Sequence, residues 1–146
     1  MIKKITAAIV LVTALTAFQT APKKTANTAA AAPAKAVMDR GKTVYLQRCL
    51  VCHQPDGGGV PHLNAPLDGG SAVKANDKAK LIGYVLNGMM ERVEIDGEYY
   101  SNNMPPNKDL TDQQVADVLT YVRNTWSNKA SAVTPAEVKA VRAKIK

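Results

Sequence analysis

The sequence predicts a small all-α domain that carries one β-hairpin. Three observations lead there. Residues 78–87 and 112–126 place apolar side chains at helical spacing, Leu81, Ile82, Val85 and Leu86 in the first and Val115, Val118, Leu119 and Val122 in the second. Each stretch opens on a residue that caps helix N-termini: Asn76 or Asp77 for the first, and Thr111 for the second, where Gln114 completes a capping box. Only residues 93–100 alternate, around Asp96-Gly97, in the pattern of a short hairpin.

At 146 residues there is room for one domain. Residues 1–21 read as an export address: Lys3 and Lys4 precede an apolar run at 5–18, shorter than the roughly 20 residues of a membrane span. Cleavage at Ala17 or Ala21 is compatible with this, and a retained anchor is the alternative reading. No cysteine directly follows the run, which excludes a bacterial lipid anchor of the usual kind. Residues 22–36, built of Ala, Thr, Lys and Pro without periodicity, read as a flexible linker. The folded domain is expected over 37–130 and a C-terminal amphipathic helix over 131–146.

The formal charge is +7, but residues 36–130 hold ten basic against eleven acidic side chains. The positive excess sits in the tails. With no basic patch interleaved with aromatics, nucleic-acid binding is excluded as a main role.

Within the domain, Asp39 is expected to cap a helix over 40–49, on which Tyr45 shares a face with Gly41 and Cys49. Residues 54–61, with three glycines and two prolines, must form a loop. Gly88 ends the helix over 78–87. Trp126, at the end of the helix over 112–126, reads as a packing residue rather than an electron relay. Thr134-Pro135-Ala136-Glu137 starts a last helix with an apolar stripe of Val138, Val141 and Ile145. That helix either packs on the domain, touches an acidic partner or lies on a membrane surface.

The chemistry is concentrated in Cys49-Leu50-Val51-Cys52-His53, which contains the chain's only two cysteines. The spacing C-x-x-C-H is the attachment signature of c-type haem: two thiols reach two vinyl groups on one porphyrin edge, and the histidine arrives under the iron. A disulfide across a two-residue gap is strained and has no use for His53. A thioredoxin-like pair lacks its βαβ context. Zinc needs two more ligands, while the chain has only His53 and His62. His62, among prolines, reads as an exposed loop histidine. One Phe and one Trp make a thin core, which a buried macrocycle would supplement.

On these residues the chain resembles the class I cytochrome c family over residues 37–128. The resemblance implies helices packed around one covalent haem c, held by Cys49 and Cys52, with His53 and a methionine on the iron. Ser101-Asn102-Asn103-Met104-Pro105-Pro106 carries the family's Met-Pro ligand signature, so Met104 is the expected sixth ligand, with Met89 and Met90 as rivals. The family's proline carbonyl that accepts the imidazole proton falls on Pro66, with Pro61 as alternative. Gly41 and Tyr45 match a glycine and an aromatic that meet the last helix, near Leu119, Tyr121 and Val122. Tyr100, Asn102 and Asn103 are candidates for polar contacts to propionates or sulfur. A hairpin before the methionine occurs in haem domains associated with periplasmic dehydrogenases and nitrite reductases.

The expected role is electron transfer in the periplasm, free or tethered to the cytoplasmic membrane. The chain would be a monomer that is not itself an enzyme and that meets redox partner proteins transiently. A membrane association is expected only if the N-terminal segment is retained. The rival is a gas sensor or peroxidase whose sixth iron site is open; His62 and Arg92 are its only thin distal candidates.

Overall fold

A computed structural model describes residues 32–92 and 94–145 of the chain. The export address and most of the linker lie outside the described residues. Among the described residues, six helices and one two-stranded ribbon form: α1 (Lys35–Arg48), α2 (Leu50–His53), α3 (Ser71–Lys74), α4 (Lys78–Asn87), β1 (Glu94–Ile95), β2 (Glu98–Tyr99), α5 (Asp112–Val122) and α6 (Pro135–Arg142). No described helix is long and apolar enough to cross a membrane.

Helix α1 begins five residues before the expected start, and Asp39 is not its cap. Lys35, Ala36 and Met38 are good helix formers with nothing to stop them. Asp39 is engaged inside the helix instead, its carboxylate taking Lys35 Nζ at 2.6 Å and its carbonyl the Thr43 hydroxyl. The buried face is Gly41, Val44 and Tyr45, and it lies on α5. A methyl group on Gly41 would collide with the Asp117 carbonyl and stand 2.6 Å from Tyr121 Cβ. The absent side chain is therefore what lets the two backbones touch. Beside that crossing, Arg40 grips the buried Asp117 carboxylate through Nε and Nη2, at 2.6 and 3.1 Å. The Tyr45 ring meets Tyr121 and Trp126, each with centroids 5.5 Å apart. Trp126 is thus a packing residue, as expected.

Helix α4 has the expected bounds, with Asp77 accepting from Ala79 N as cap. Helix α5 opens on the expected capping box of Thr111 and Gln114, but stops at Val122 rather than 126. Asn124 and Thr125 turn their side chains back to the carbonyls of Thr120 and Tyr121. Trp126 then takes a left-handed φ of 57° that ends any continuation. The core beneath α1, α4 and α5 is aliphatic: Val44, Ile82, Leu86, Val115, Val118 and Val122 are all buried.

Helix α6 packs on α4 and α5, the first of the three uses expected of it. Val138 is wholly buried, and Val141 and Ile145 pack against the core. Charges rim the contact: Lys78 pairs with Glu137 at 2.6 Å and Arg142 with Asp112 at 2.7 Å. Arg142 also donates to the carbonyls of Lys108 and Leu110.

Strands β1 and β2 pair antiparallel, Glu94 opposite Tyr99 and Ile95 opposite Glu98. Asp96 and Gly97 both have positive φ, 53° and 87°, as a two-residue type I′ hairpin requires. Two residues a side cannot hold a ribbon alone. The Asp96 carboxylate accepts from Ser71 N at 2.9 Å, and Arg92 lies on the Tyr99 ring, so the hairpin is tied to α3 and to itself.

Candidate functional site

The C-x-x-C-H stretch folds as a helical turn. Cys49 N closes α1 on the Tyr45 carbonyl, and the Cys49 carbonyl accepts from both Cys52 N and His53 N. One turn puts positions 49, 52 and 53 on the same side. Cys49, Cys52 and His53 all line one cavity of about 240 Å³, while Val51 points away and is 87% exposed. Close-packed interiors rarely keep voids beyond the size of a water molecule, so this space is a candidate binding site.

Both cysteines are free thiols. Burial, with Cys52 beside it, pushes the Cys49 thiol up to about 11, so it is protonated at neutral pH. Burial also lowers the His53 pKa, partly offset by a hydrogen bond to the Ala65 carbonyl. His53 Nδ1 lies 2.9 Å from that carbonyl oxygen. A carbonyl can only accept, so the proton is on Nδ1 and the Nε2 lone pair is free, the state a metal-ligating imidazole needs.

The partner of His53 is therefore Ala65, and neither Pro66 nor Pro61. Pro66 does line the cavity, but its carbonyl is turned toward Gly70. A proline forces the residue before it into extended backbone, and here that residue presents its carbonyl to the ring. Pro66 thus acts through the peptide upstream of its own carbonyl.

Met104 lines the same cavity, and so does Met89; Met90 lies outside it, 64% exposed. The two lining methionines are neighbours across an antiparallel bridge, Met89 N to Met104 O at 2.8 Å and Met104 N to Met89 O at 2.9 Å. The Met104 loop is anchored again where Asn107 N donates to the Val85 carbonyl at 3.0 Å. Gly88 makes the bridge possible. Its φ of 72° ends α4, and a methyl group there would run into the Met104 carbonyl.

Tyr100, Asn102 and Asn103 also line the cavity, and Asn102 donates to the Asn64 side chain at 3.2 Å. His62 and Arg92 do not line it. His62 is exposed with Nδ1 3.9 Å from Glu98, and Arg92 is engaged with Tyr99. Leu81, Val85, Leu110, Val118 and Leu119 give the cavity an apolar wall, while Arg48, Lys80, Glu91, Glu94 and Asp96 also line it. Two free thiols, an imidazole with an open nitrogen, a thioether and an apolar wall are the donor set and surroundings that a covalently attached haem requires.

Several residues of the site carried no functional signal in the sequence. Ala65 acts through its backbone, and its only cue is the proline that follows. Asn128, wholly buried, donates to the carbonyls of Leu67 and Val122 and accepts from Gly69 N, tying down the loop after His53. Nothing local marks it out from any other asparagine after a helix.

A model of the cytochrome c family matches residues 38–126. The chain is 32% identical over 111 residues to the cytochrome c subunit of the quinone alcohol dehydrogenase of Gluconacetobacter polyoxogenes, covering 70% of this chain and 22% of that protein. It is 32% identical over 112 residues to cytochrome c-552 of Thermus thermophilus, covering 71% and 85%. To the cytochrome c subunit of gluconate 2-dehydrogenase of Pantoea cypripedii it is 35% identical over 108 residues, covering 70% and 24%. The chain thus spans less than a quarter of the two dehydrogenase subunits and most of the length of the small Thermus protein.

Proposed function

The chain belongs to the cytochrome c family, whose members bind covalent haem c and transfer electrons, and from that membership we propose a single-haem, His/Met-ligated carrier working in the periplasm. The observation that carries the reading is the one cavity that collects Cys49, Cys52 and His53 from one stretch of the chain and Met104 from another, 51 residues further on.

Each residue has a distinct task. Cys49 and Cys52 hold the group through thioether bonds. His53 offers Nε2, because the Ala65 carbonyl keeps the proton on Nδ1. Met104 would be the second residue to hold the iron, through its thioether. It is preferred to Met89 because Pro105 and Pro106 directly follow it, removing backbone freedom from its loop. Bound there, the haem supplies a one-electron iron couple. A thioether donor favours the reduced state. With His53 and Met104 both holding the iron, the group would serve electron transfer rather than substrate binding.

Export from the cytoplasm rests on the cationic start and apolar run of residues 1–21. Because the relatives include subunits of dehydrogenases, we infer that the chain exchanges electrons with a protein partner of that kind, as a separate carrier or as a haem subunit. The contact should be small, under about 1,200 Å².

The test is the absorption spectrum of the full chain matured with haem, oxidised and reduced, for wild type, Met104→Ala and Met89→Ala. Wild type should show low-spin bands and the weak far-red band of iron–thioether ligation. Met104→Ala should lose that band and Met89→Ala should keep it. Loss in Met89→Ala alone would move the ligand to Met89. A wild type without the band, whose reduced form binds carbon monoxide readily, would replace the carrier with a sensor or peroxidase.

A further inference from the structure

The segment after α5 holds the cavity wall from behind. Trp126 Nε1 donates to the Pro55 carbonyl at 3.0 Å, Ser127 N donates to the Asp68 carboxylate, and Asn128 spans Leu67 and Gly69. Arg123 does the same for α3. It is 0% exposed, and its Nη1 donates to the carbonyls of Val73 and, at 3.0 Å, Ala75. Nε donates to the Ser131 carbonyl at 2.8 Å and Nη2 to the Ser131 hydroxyl at 3.3 Å.

Every one of these partners is neutral, and among the described residues no carboxylate is paired with Arg123. Arginine does not deprotonate in proteins, so a full positive charge is buried here. Burial opposes that charge, and the acid that favours it is Glu137. Glu137 is itself held by Lys78 Nζ at 2.6 Å. The three groups together carry one net positive charge. Val73 lines the cavity, so the guanidinium sits one peptide group behind the wall.

We propose that Arg123 is a positioning residue that also tunes the redox centre: its hydrogen bonds hold the α3 wall, and its buried charge behind Val73 favours the reduced state. The inference rests on the cavity being the haem site. Reduction lowers the charge in the cavity by one, and a fixed positive charge behind a low-dielectric wall stabilises that change. Glu137 works in the opposite direction.

The experiment measures the midpoint potential of the full, haem-loaded chain for wild type, Arg123→Met, Arg123→Lys and Glu137→Gln. Arg123→Met should disfavour reduction by about tenfold, which is about 59 mV for a one-electron couple. Arg123→Lys keeps the charge and should stay within about twofold of wild type. Glu137→Gln should raise the potential, since glutamine still serves in the capping box at the start of α6. Opposite signs for Arg123→Met and Glu137→Gln are what charge produces and lost packing does not. The inference is overturned if Arg123→Lys falls as far as Arg123→Met, or if Glu137→Gln leaves the potential unchanged or lowers it. Should Arg123→Met fail to fold, the other two variants still decide. A wild type without the iron–thioether band refutes the proposed function; an intact spectrum with unmoved potentials refutes the role of Arg123 alone.

Discussion

Met89 and Met104 exchange both backbone hydrogen bonds, at 2.8 and 2.9 Å, although fifteen positions separate them in the chain. The bridge joins the end of α4 to the loop that carries the proposed sulfur ligand. It brings two thioethers to one cavity and gives the Met104 loop a fixed neighbour. Helix α4 is in turn held by α6 through the Lys78–Glu137 pair. The position of Met104 therefore depends on elements well outside its own loop.

Gly88→Ala should loosen that loop. The residue sits at φ 72°, where alanine is strained, and the added methyl would meet the Met104 carbonyl. A loss of about 1–3 kcal/mol is expected in denaturant unfolding. The haem-loaded variant should also bind added imidazole more tightly than wild type, because the proposed Met104 ligand would be displaced more easily. Unchanged stability and unchanged imidazole affinity would show that the bridge does not hold the loop.

Gly41→Ala tests the crossing of α1 and α5. The added methyl would press on the Asp117 carbonyl and Tyr121 Cβ, so α1 must move away from α5. In an exposed helix the same change would gain about 1 kcal/mol from better helix propensity. Here the overpacking cost should outweigh it, for a net loss of about 1–2 kcal/mol. The check is the urea midpoint at constant slope; a rise in the midpoint would show that the helices are not in backbone contact.

Acid should weaken the attachment of α6. Burial alone would raise the Glu137 carboxyl, but the bonds from Lys78 and Thr134 outweigh it and hold it below the usual carboxylate range. A depressed folded-state pKa means stability that is fully present above the unfolded value, about 4.3 for glutamate. It is lost as pH falls through the lower folded value. Glu137 is partly exposed, so the contribution should stay under about 1 kcal/mol after screening. Thermal unfolding of wild type and Glu137→Gln should differ at neutral pH and converge in strong acid. A gap that persists at low pH would assign the difference to something other than ionisation.

The C-x-x-C-H turn, the capping box at Thr111, the helix start at Thr134, the Asp96-Gly97 hairpin and the glycine at position 41 were legible in the sequence. In each, the residues that interact lie within a few positions of one another, or a missing side chain leaves one plain consequence. Legibility failed where a local preference had a competitor. Asp39 reads as a cap until Lys35 and Thr43 engage it, and the stripe of α5 runs on toward Trp126 until Asn124 and Thr125 take back its carbonyls.

The sequence alone carried the chemistry of the chain: the C-x-x-C-H stretch, the candidate thioethers and most of the helical segments. Those properties follow from side-chain type and from periods of two to four residues. Only the tertiary structure decided that Ala65 rather than Pro66 orients His53, that Met89 shares the cavity with Met104, and that Arg123 stands buried behind Val73. These are contacts of backbone carbonyls and buried cations between distant segments. Every residue carries the same carbonyl, so composition cannot mark the one that matters until packing has brought it into place.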